Sequence, residues 1–102
     1  MRFIKKSNLE KDLKGLPNGV RKSAINWLDV VENKKTIWHN FVDVRNTYAT
    51  VSQVGELYVF NIKDHRLIVG ISFLRRIIYY KAILSHSDYD KGLWKTQFHR
   101  QR

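Results

Sequence analysis

Apolar positions in the first third of the chain recur with a helical period. Leu9, Leu13 and Leu16 lie four and three residues apart, a spacing typical of one buried helix face. The preceding "SNLE" matches a capping box, so we expect Ser7 to be the N-cap of this helix. The first four residues, "MRFI", are interpreted as a short edge strand that precedes it.

A second helix is predicted after the loop "GLPNG", with Asn18 as a candidate N-cap. Its apolar positions again follow the helical period: Val20, Ala24, Trp27, Leu28 and Val31. A further short helix or helical turn is predicted within "IWHNFVDVRNTY".

The hydrophobic period changes in the second half of the chain. Three runs, "ELYVFNI", "HRLIVGISF" and "RIIYYKAIL", are rich in Val, Ile, Phe and Tyr. Turn-like breaks at Lys63-Asp64 and Leu74-Arg75 separate them. Such runs, joined by short breaks, indicate an antiparallel meander of hairpins.

Alternation assigns side chains of these strands to opposite faces. In the middle strand one face is predicted to hold Leu67, Val69, Ile71 and Phe73. In the last strand the same alternation groups Lys81 with Tyr79 and Ile83. Burying an ammonium within an apolar strand costs desolvation free energy unless the ammonium reaches water or a partner. Lys81 is therefore either a snorkelling lysine at the sheet edge or a cation positioned to bind phosphate.

Helices followed by a curved antiparallel sheet predict a small α+β fold, in which residues 1–102 form one domain. No apolar run approaches the roughly 20 residues that cross a bilayer, and the N-terminus lacks the apolar core of a signal peptide. The chain has no cysteine, which excludes disulfides and thiolate chemistry. We therefore expect a cytoplasmic protein without a membrane association.

The charge balance points to an anionic partner. Nineteen Lys and Arg against nine Asp and Glu give a net charge of +10. Such a field attracts polyanions, of which nucleic acid is the commonest. An anionic membrane surface or an acidic protein remains open on charge alone.

The stretch "LSHSDYDK" places titratable groups just after the last predicted strand. Ser85 or Ser87 is expected to cap a short helical turn, with Asp88 and Asp90 near its positive end. Capping explains the acids, but it does not explain why His86 and Tyr89, three residues apart, share one face of that turn.

Metal and nucleotide chemistry have little support. The four histidines show no zinc-type spacing, and there is no glycine-rich phosphate loop. Asp88 and Asp90 could serve a hard cation, but no second acidic cluster accompanies them. We expect neither a metal nor a cofactor.

RNA cleavage without a metal would use the residue types that this sequence supplies. The reaction needs a base for the 2′-hydroxyl, an acid for the leaving 5′-oxygen and cations for the phosphorane-like transition state. His86 can serve either proton role, and Arg66 and Lys81 can neutralise phosphate charge. Tyr89 can contact phosphate or stack on a base.

Three blocks resemble, in order, those of HigB-type toxins, which are RelE-like mRNA interferases. The blocks are "FVDVRNTY", "VGELYVFNIKDHRLIV" and "IIYYKAILSHSDYDK". The resemblance implies a RelE-like fold, with N-terminal helices packed on a curved antiparallel sheet. It also implies a metal-independent mRNA endoribonuclease, typically acting at the ribosome, and a HigA-type helix-turn-helix antitoxin as partner.

The same resemblance implies site residues. The family's arginine in "RLIV" falls on Arg66, and the basic residue before its terminal block falls on Lys81. The His, Tyr, Asp and Lys of that block fall on His86, Tyr89, Asp90 and Lys91. Weaker candidates for RNA backbone contact are Arg45, Lys63, Arg75 and Arg76. A non-catalytic RNA- or ribosome-binding module, or a protein-interaction domain, remains an alternative.

Overall fold

The computed structural model describes residues 1–95, so most of the C-terminal basic cluster "KTQFHRQR" lies outside the described residues. The strands are β1 (Arg2–Ile4), β2 (Ser52–Val54), β3 (Leu57–Ile62), β4 (His65–Ser72) and β5 (Ile77–Ser85). The helices are α1 (Lys6–Leu13), α2 (Asn18–Glu32), α3 (Phe41–Thr47) and α4 (His86–Asp90). No helix in this part of the chain is long and apolar enough to cross a membrane.

The strands form one five-stranded sheet in the order β1-β5-β4-β3-β2. The meander predicted from the three apolar runs is confirmed, since β3, β4 and β5 pair antiparallel in sequence order. "MRFI" supplies the predicted edge strand, and it pairs parallel to β5, with Arg2 opposite Ile77. The short, polar strand β2 was not predicted from the sequence, and it completes the other edge.

Helices α1, α2 and α3 contribute their apolar stripes to a core on one face of the sheet. All five apolar positions predicted for α2 are buried, as are Leu9 and Leu13 of α1. Phe60 of β3 is the centre of the aromatic part of this core. Its ring lies 5.1 Å from that of Trp27, 5.5 Å from that of Tyr48 and 6.2 Å from that of Trp38.

The opposite face of the sheet, called the outer face below, carries a smaller apolar cluster. Leu57, Val59 and Ile68 are buried there against Trp94, whose side chain is 2% exposed. Leu67 and Val69 of the same middle strand face the helices, while Ile71 and Phe73 pack at the edge of that core. The predicted alternation along β4 is therefore confirmed.

Two predicted helix starts are wrong. Lys5, not Ser7, occupies the N-cap position of α1, and its carbonyl accepts hydrogen bonds from the amides of Asn8 and Leu9. The chain leaves β1 at Ile4 and must turn at once, so Lys5 takes a left-handed conformation with φ 68°. Asn18 is likewise the first residue of α2, not its cap, and its side chain accepts a hydrogen bond from Arg21.

The third predicted helix is confirmed as α3. Asn40 is its N-cap, and the Asn40 side chain accepts a hydrogen bond from the amide of Asp43 at 3.0 Å.

We predict that Phe60→Ala lowers the free energy of unfolding by about 3–5 kcal/mol, because it removes the ring that three others contact. Urea denaturation of the purified protein measures this change. Leu74→Ala is the matched control, since Leu74 is 94% exposed and its truncation is expected to change stability by no more than about 0.5 kcal/mol. Equal losses for the two variants would contradict the assignment of the core.

Candidate active site

The stretch "LSHSDYDK" forms the end of β5 and the short helix α4. Ser85 is the N-cap, and its hydroxyl accepts a hydrogen bond from the amide of Asp88 at 3.2 Å. The amide of His86 donates to the carbonyl of Asp64, at 3.1 Å, in the turn between β3 and β4. The capping interpretation is thus confirmed for Ser85, and the His86 amide holds the start of α4 against the neighbouring hairpin.

The His86 imidazole and the Asp90 carboxylate are paired across one turn of α4. The distance from His86 Nδ1 to Asp90 Oδ2 is 2.9 Å, and both side chains are more than half exposed. The Asp90 carboxylate lies beside Nδ1, so Nε2 is the ring nitrogen that is not engaged in this contact. The pair therefore presents an imidazole whose Nε2 is the candidate atom for proton transfer.

Arg66, Tyr89 and Trp94 form a layered stack beside this pair. The Arg66 guanidinium carbon lies 5.9 Å from the centre of the Tyr89 ring, within cation–π range. The Tyr89 ring stacks on Trp94 with centres 5.0 Å apart, and Trp94 Nε1 donates to the Tyr89 carbonyl at 2.9 Å. Arg66 Nη1 also donates to the carbonyl of His65 at 2.9 Å. These contacts orient Arg66 toward α4.

A β-bulge in β5 determines where Lys81 lies. Ile68 pairs with Ala82 and Val69 with Tyr80, so Lys81 is an extra residue opposite that step of β4. The extra residue reverses the alternation of β5. The predicted grouping of Lys81 with Ile83 is therefore wrong, because Ile83 packs against the helix-side core.

Lys81 does share a cavity with Tyr79, as the alternation predicted. This cavity, called the outer cleft below, has a volume of about 580 Å³ and is open to solvent. Its lining residues come from β2 to β5 and from the β2–β3 and β4–β5 turns. They include Gln53, Glu56, Gly70, Ser72, Arg75, Tyr79 and Lys81. The residues from β2 and its turn were missed, because a strand of three polar-rich residues carries no periodic signal.

The sequence-predicted site residues lie in two groups on the sheet. Arg66, His86, Tyr89 and Asp90 come together where β5 ends in α4, as described above. Lys81 and Arg75 line the outer cleft, which extends toward the β4–β5 turn at the opposite end of those strands. Among the described residues, the lining of that cleft includes none of the first group.

The weaker candidates for RNA contact lie at the rim of the molecule. Lys63 and Arg76 occupy hairpin turns with left-handed φ values of 57° and 58°. Lys91 is the C-cap of α4, and its ammonium is 3.5 Å from Asp88. Arg45 belongs to α3, where its guanidinium lies 5.9 Å from the Phe41 ring centre.

A second histidine, His65, supports the turn beneath Arg66 and was not predicted. Its side chain is buried, and Nδ1 lies 2.8 Å from the carboxylate of Asp64. This hydrogen bond is the main reason that the pKa of the Asp64 carboxyl lies below its ordinary value. In residues 1–95, no three His, Asp or Glu side chains are grouped as ligands for a metal ion.

Helices on one face of a mixed five-stranded sheet, with titratable side chains at the end of its last strand, are the arrangement expected of a RelE-like α+β protein. A family model described as HigB_toxin, the RelE-like toxic component of a toxin-antitoxin system, matches residues 20–92. The chain therefore belongs to this family of toxins, which implies an antitoxin as partner. No curated protein matches the chain.

We predict that Ser85→Ala destabilises α4 by about 1 kcal/mol, because the amide of Asp88 loses its acceptor. Amide hydrogen exchange at Asp88 measures the local effect. Ser87→Ala is the control, since that exposed hydroxyl is not the cap. Faster exchange in the Ser87 variant than in the Ser85 variant would contradict the assigned cap.

Proposed function

We propose that this toxin is a metal-independent endoribonuclease that cuts mRNA, at the ribosome, and so inhibits translation. The observation that carries the proposal is the oriented His86–Asp90 pair beside the Arg66 guanidinium on Tyr89. A candidate proton-transfer group on α4 and a cation on β4 lie close together there. Membership of a toxin family supports mRNA as the target, because its cleavage would stop translation and growth.

The proposed reaction begins with attack of a ribose 2′-oxygen on the adjacent phosphorus. The new P–O2′ bond forms as the P–O5′ bond breaks, one proton leaves the 2′-hydroxyl and another is added to the 5′-oxygen. His86 serves as general acid or general base through Nε2, and Asp90 orients its ring. Arg66, beside α4, neutralises the negative charge that accumulates on the reacting phosphate. Lys81, in the outer cleft, neutralises phosphate charge on the same strand.

Binding of the RNA strand would use the basic rim and the outer cleft. Tyr79 in the outer cleft offers a ring for stacking on a base, which tolerates many sequences. The Tyr89 ring lies between Arg66 and Trp94, so its proposed contact is with phosphate, through the hydroxyl. Arg45, Lys63, Arg75, Arg76 and Lys91 are the proposed backbone contacts. Each would add to the salt dependence of binding, because a phosphate contact releases condensed counterions.

The proposed partner that silences this activity is a HigA-type helix-turn-helix antitoxin. The family implies an antitoxin, and the type follows from the resemblance to HigB toxins. We place the toxin in the cytoplasm, where its proposed ribosomal substrate is found.

We predict that His86→Ala lowers the rate of mRNA cleavage by about 100- to 10,000-fold, the range expected when a general acid or base is lost. Arg66→Ala is expected to lower it as well, because a transition-state cation is removed. In vitro translation followed by primer extension measures cleavage, and growth after induction measures toxicity.

His39→Ala provides a matched control. His39 also pairs with a carboxylate four residues later, Asp43, at 3.3 Å, and it is exposed. Its loss is expected to leave cleavage unchanged. If the His86 and Arg66 variants remain as toxic as wild type at equal protein levels, the active-site assignment is wrong. Salt-dependent RNA binding by wild type without any product would favour the non-catalytic module instead.

A further inference from the structure

A second cavity lies on the other side of Lys81, between α1 and β5. It has a volume of about 390 Å³, and its lining consists of Lys5, Asn8, Lys11, Asp12, Tyr80 and Lys81. We call it the helix-side pocket. None of its residues other than Lys81 belongs to the site described above.

The helix-side pocket carries an excess of positive charge. Three of its lining residues are lysines, and the one carboxylate, that of Asp12, accepts a hydrogen bond from the Tyr80 hydroxyl at 2.6 Å. This bond anchors Asp12 to the buried Tyr80 and occupies one of its oxygens. The cavity therefore presents ammonium groups and the Asn8 amide to a ligand, a donor set that suits an anion.

The shape of the lining distinguishes phosphate from a nucleobase. Tyr80 is the aromatic residue of the pocket, and its ring is 4% exposed because it packs in the helix-side core. A base would find no ring face to stack on. Phosphate needs only the donors and the charge, so the pocket fits the backbone of a nucleic acid and not its bases.

Lys81 connects the helix-side pocket with the outer cleft, since it lines both. The parallel pairing of β1 with β5 ends at Tyr79, two residues before Lys81. Beyond Tyr79, the edge of β5 that had paired with β1 is flanked by α1 and the helix-side pocket. A polyanion that occupies the outer cleft can thus continue past Lys81 into the pocket.

We propose that the helix-side pocket binds a backbone phosphate of the RNA strand that enters or leaves the outer cleft. Lys5 and Lys11 are the residues that we assign to this phosphate, with Asn8 as a neutral donor. The assignment rests on the proposed function, because it takes RNA as the ligand. It extends the RNA path to the N-terminal helix, which lies outside the residues matched by the family model.

The test is the salt dependence of RNA binding. The probe is a 2′-O-methylated single-stranded RNA, which lacks the attacking hydroxyl and stays intact during the measurement. The variant Lys5→Asn/Lys11→Gln removes both charges, and it is compatible with the fold because Asn tolerates a left-handed backbone and Gln a helix. The exposed pair Lys34→Gln/Lys35→Gln removes the same charge elsewhere and is the matched control.

The slope of log affinity against log salt is expected to fall by about 0.7 in the pocket variant, the value for one lost single-strand phosphate contact. At about 50 mM salt this corresponds to roughly 8-fold weaker binding. The control pair is expected to keep the wild-type slope, and Lys5→Asn/Lys11→Arg is expected to regain about half of the loss. Thermal unfolding of each variant verifies that the fold is retained.

An unchanged slope in the folded pocket variant, with tight binding by wild type, overturns this inference and leaves the proposed function standing. Equal slope losses in the pocket variant and the control also overturn it, because they indicate a general effect of net charge. Wild-type protein that neither binds nor cleaves RNA overturns the proposed function and this inference together.

Discussion

The pairing of β5 with β4, interrupted by one extra residue at Lys81, is the constraint on which the rest of the structure depends. Before the bulge, Ile78 and Tyr80 face the helices, and after it Ile83 does so. Without the extra residue, Ile83 and Leu84 would exchange faces, since a shift of one residue exchanges the faces of a strand. The bulge therefore completes the core and brings Lys81 to both cavities.

The inner face of the sheet forms the main core and the outer face forms the cleft, because different elements cover the two faces. Three helices bury the inner face, which supplies most of the hydrophobic stabilisation. The outer face is covered over part of its area by Trp94, which also stacks on Tyr89. One buried indole thus holds the ring on which Arg66 lies, while the remaining outer surface stays open as a cleft.

Three acidic side chains, those of Asp12, Asp64 and Asp90, contact a tyrosine or a histidine. The Tyr80 hydroxyl donates a hydrogen bond to Asp12. Burial is the main cause that raises the pKa of this hydroxyl, and the hydrogen bond to Asp12 is the second. Asp64 and Asp90 each bind a histidine. The exposed pair of His86 and Asp90 contributes little to stability. The effect of these contacts is to position rings and turns, while the net charge of +10 remains available to a polyanion.

Local periodicity determined the helix stripes of α1 and α2, the alternation of β4, the meander and the Ser85 cap, because each depends on neighbours within a few residues. The titratable groups of α4 were also identifiable, since their spacing on one turn is a property of the chain. Tertiary structure alone decided the bulge at Lys81, the pairing of β1 with β5 and the burial of Trp94. These features depend on contacts between residues far apart in sequence, and a short sequence pattern does not specify which distant residues will be in contact.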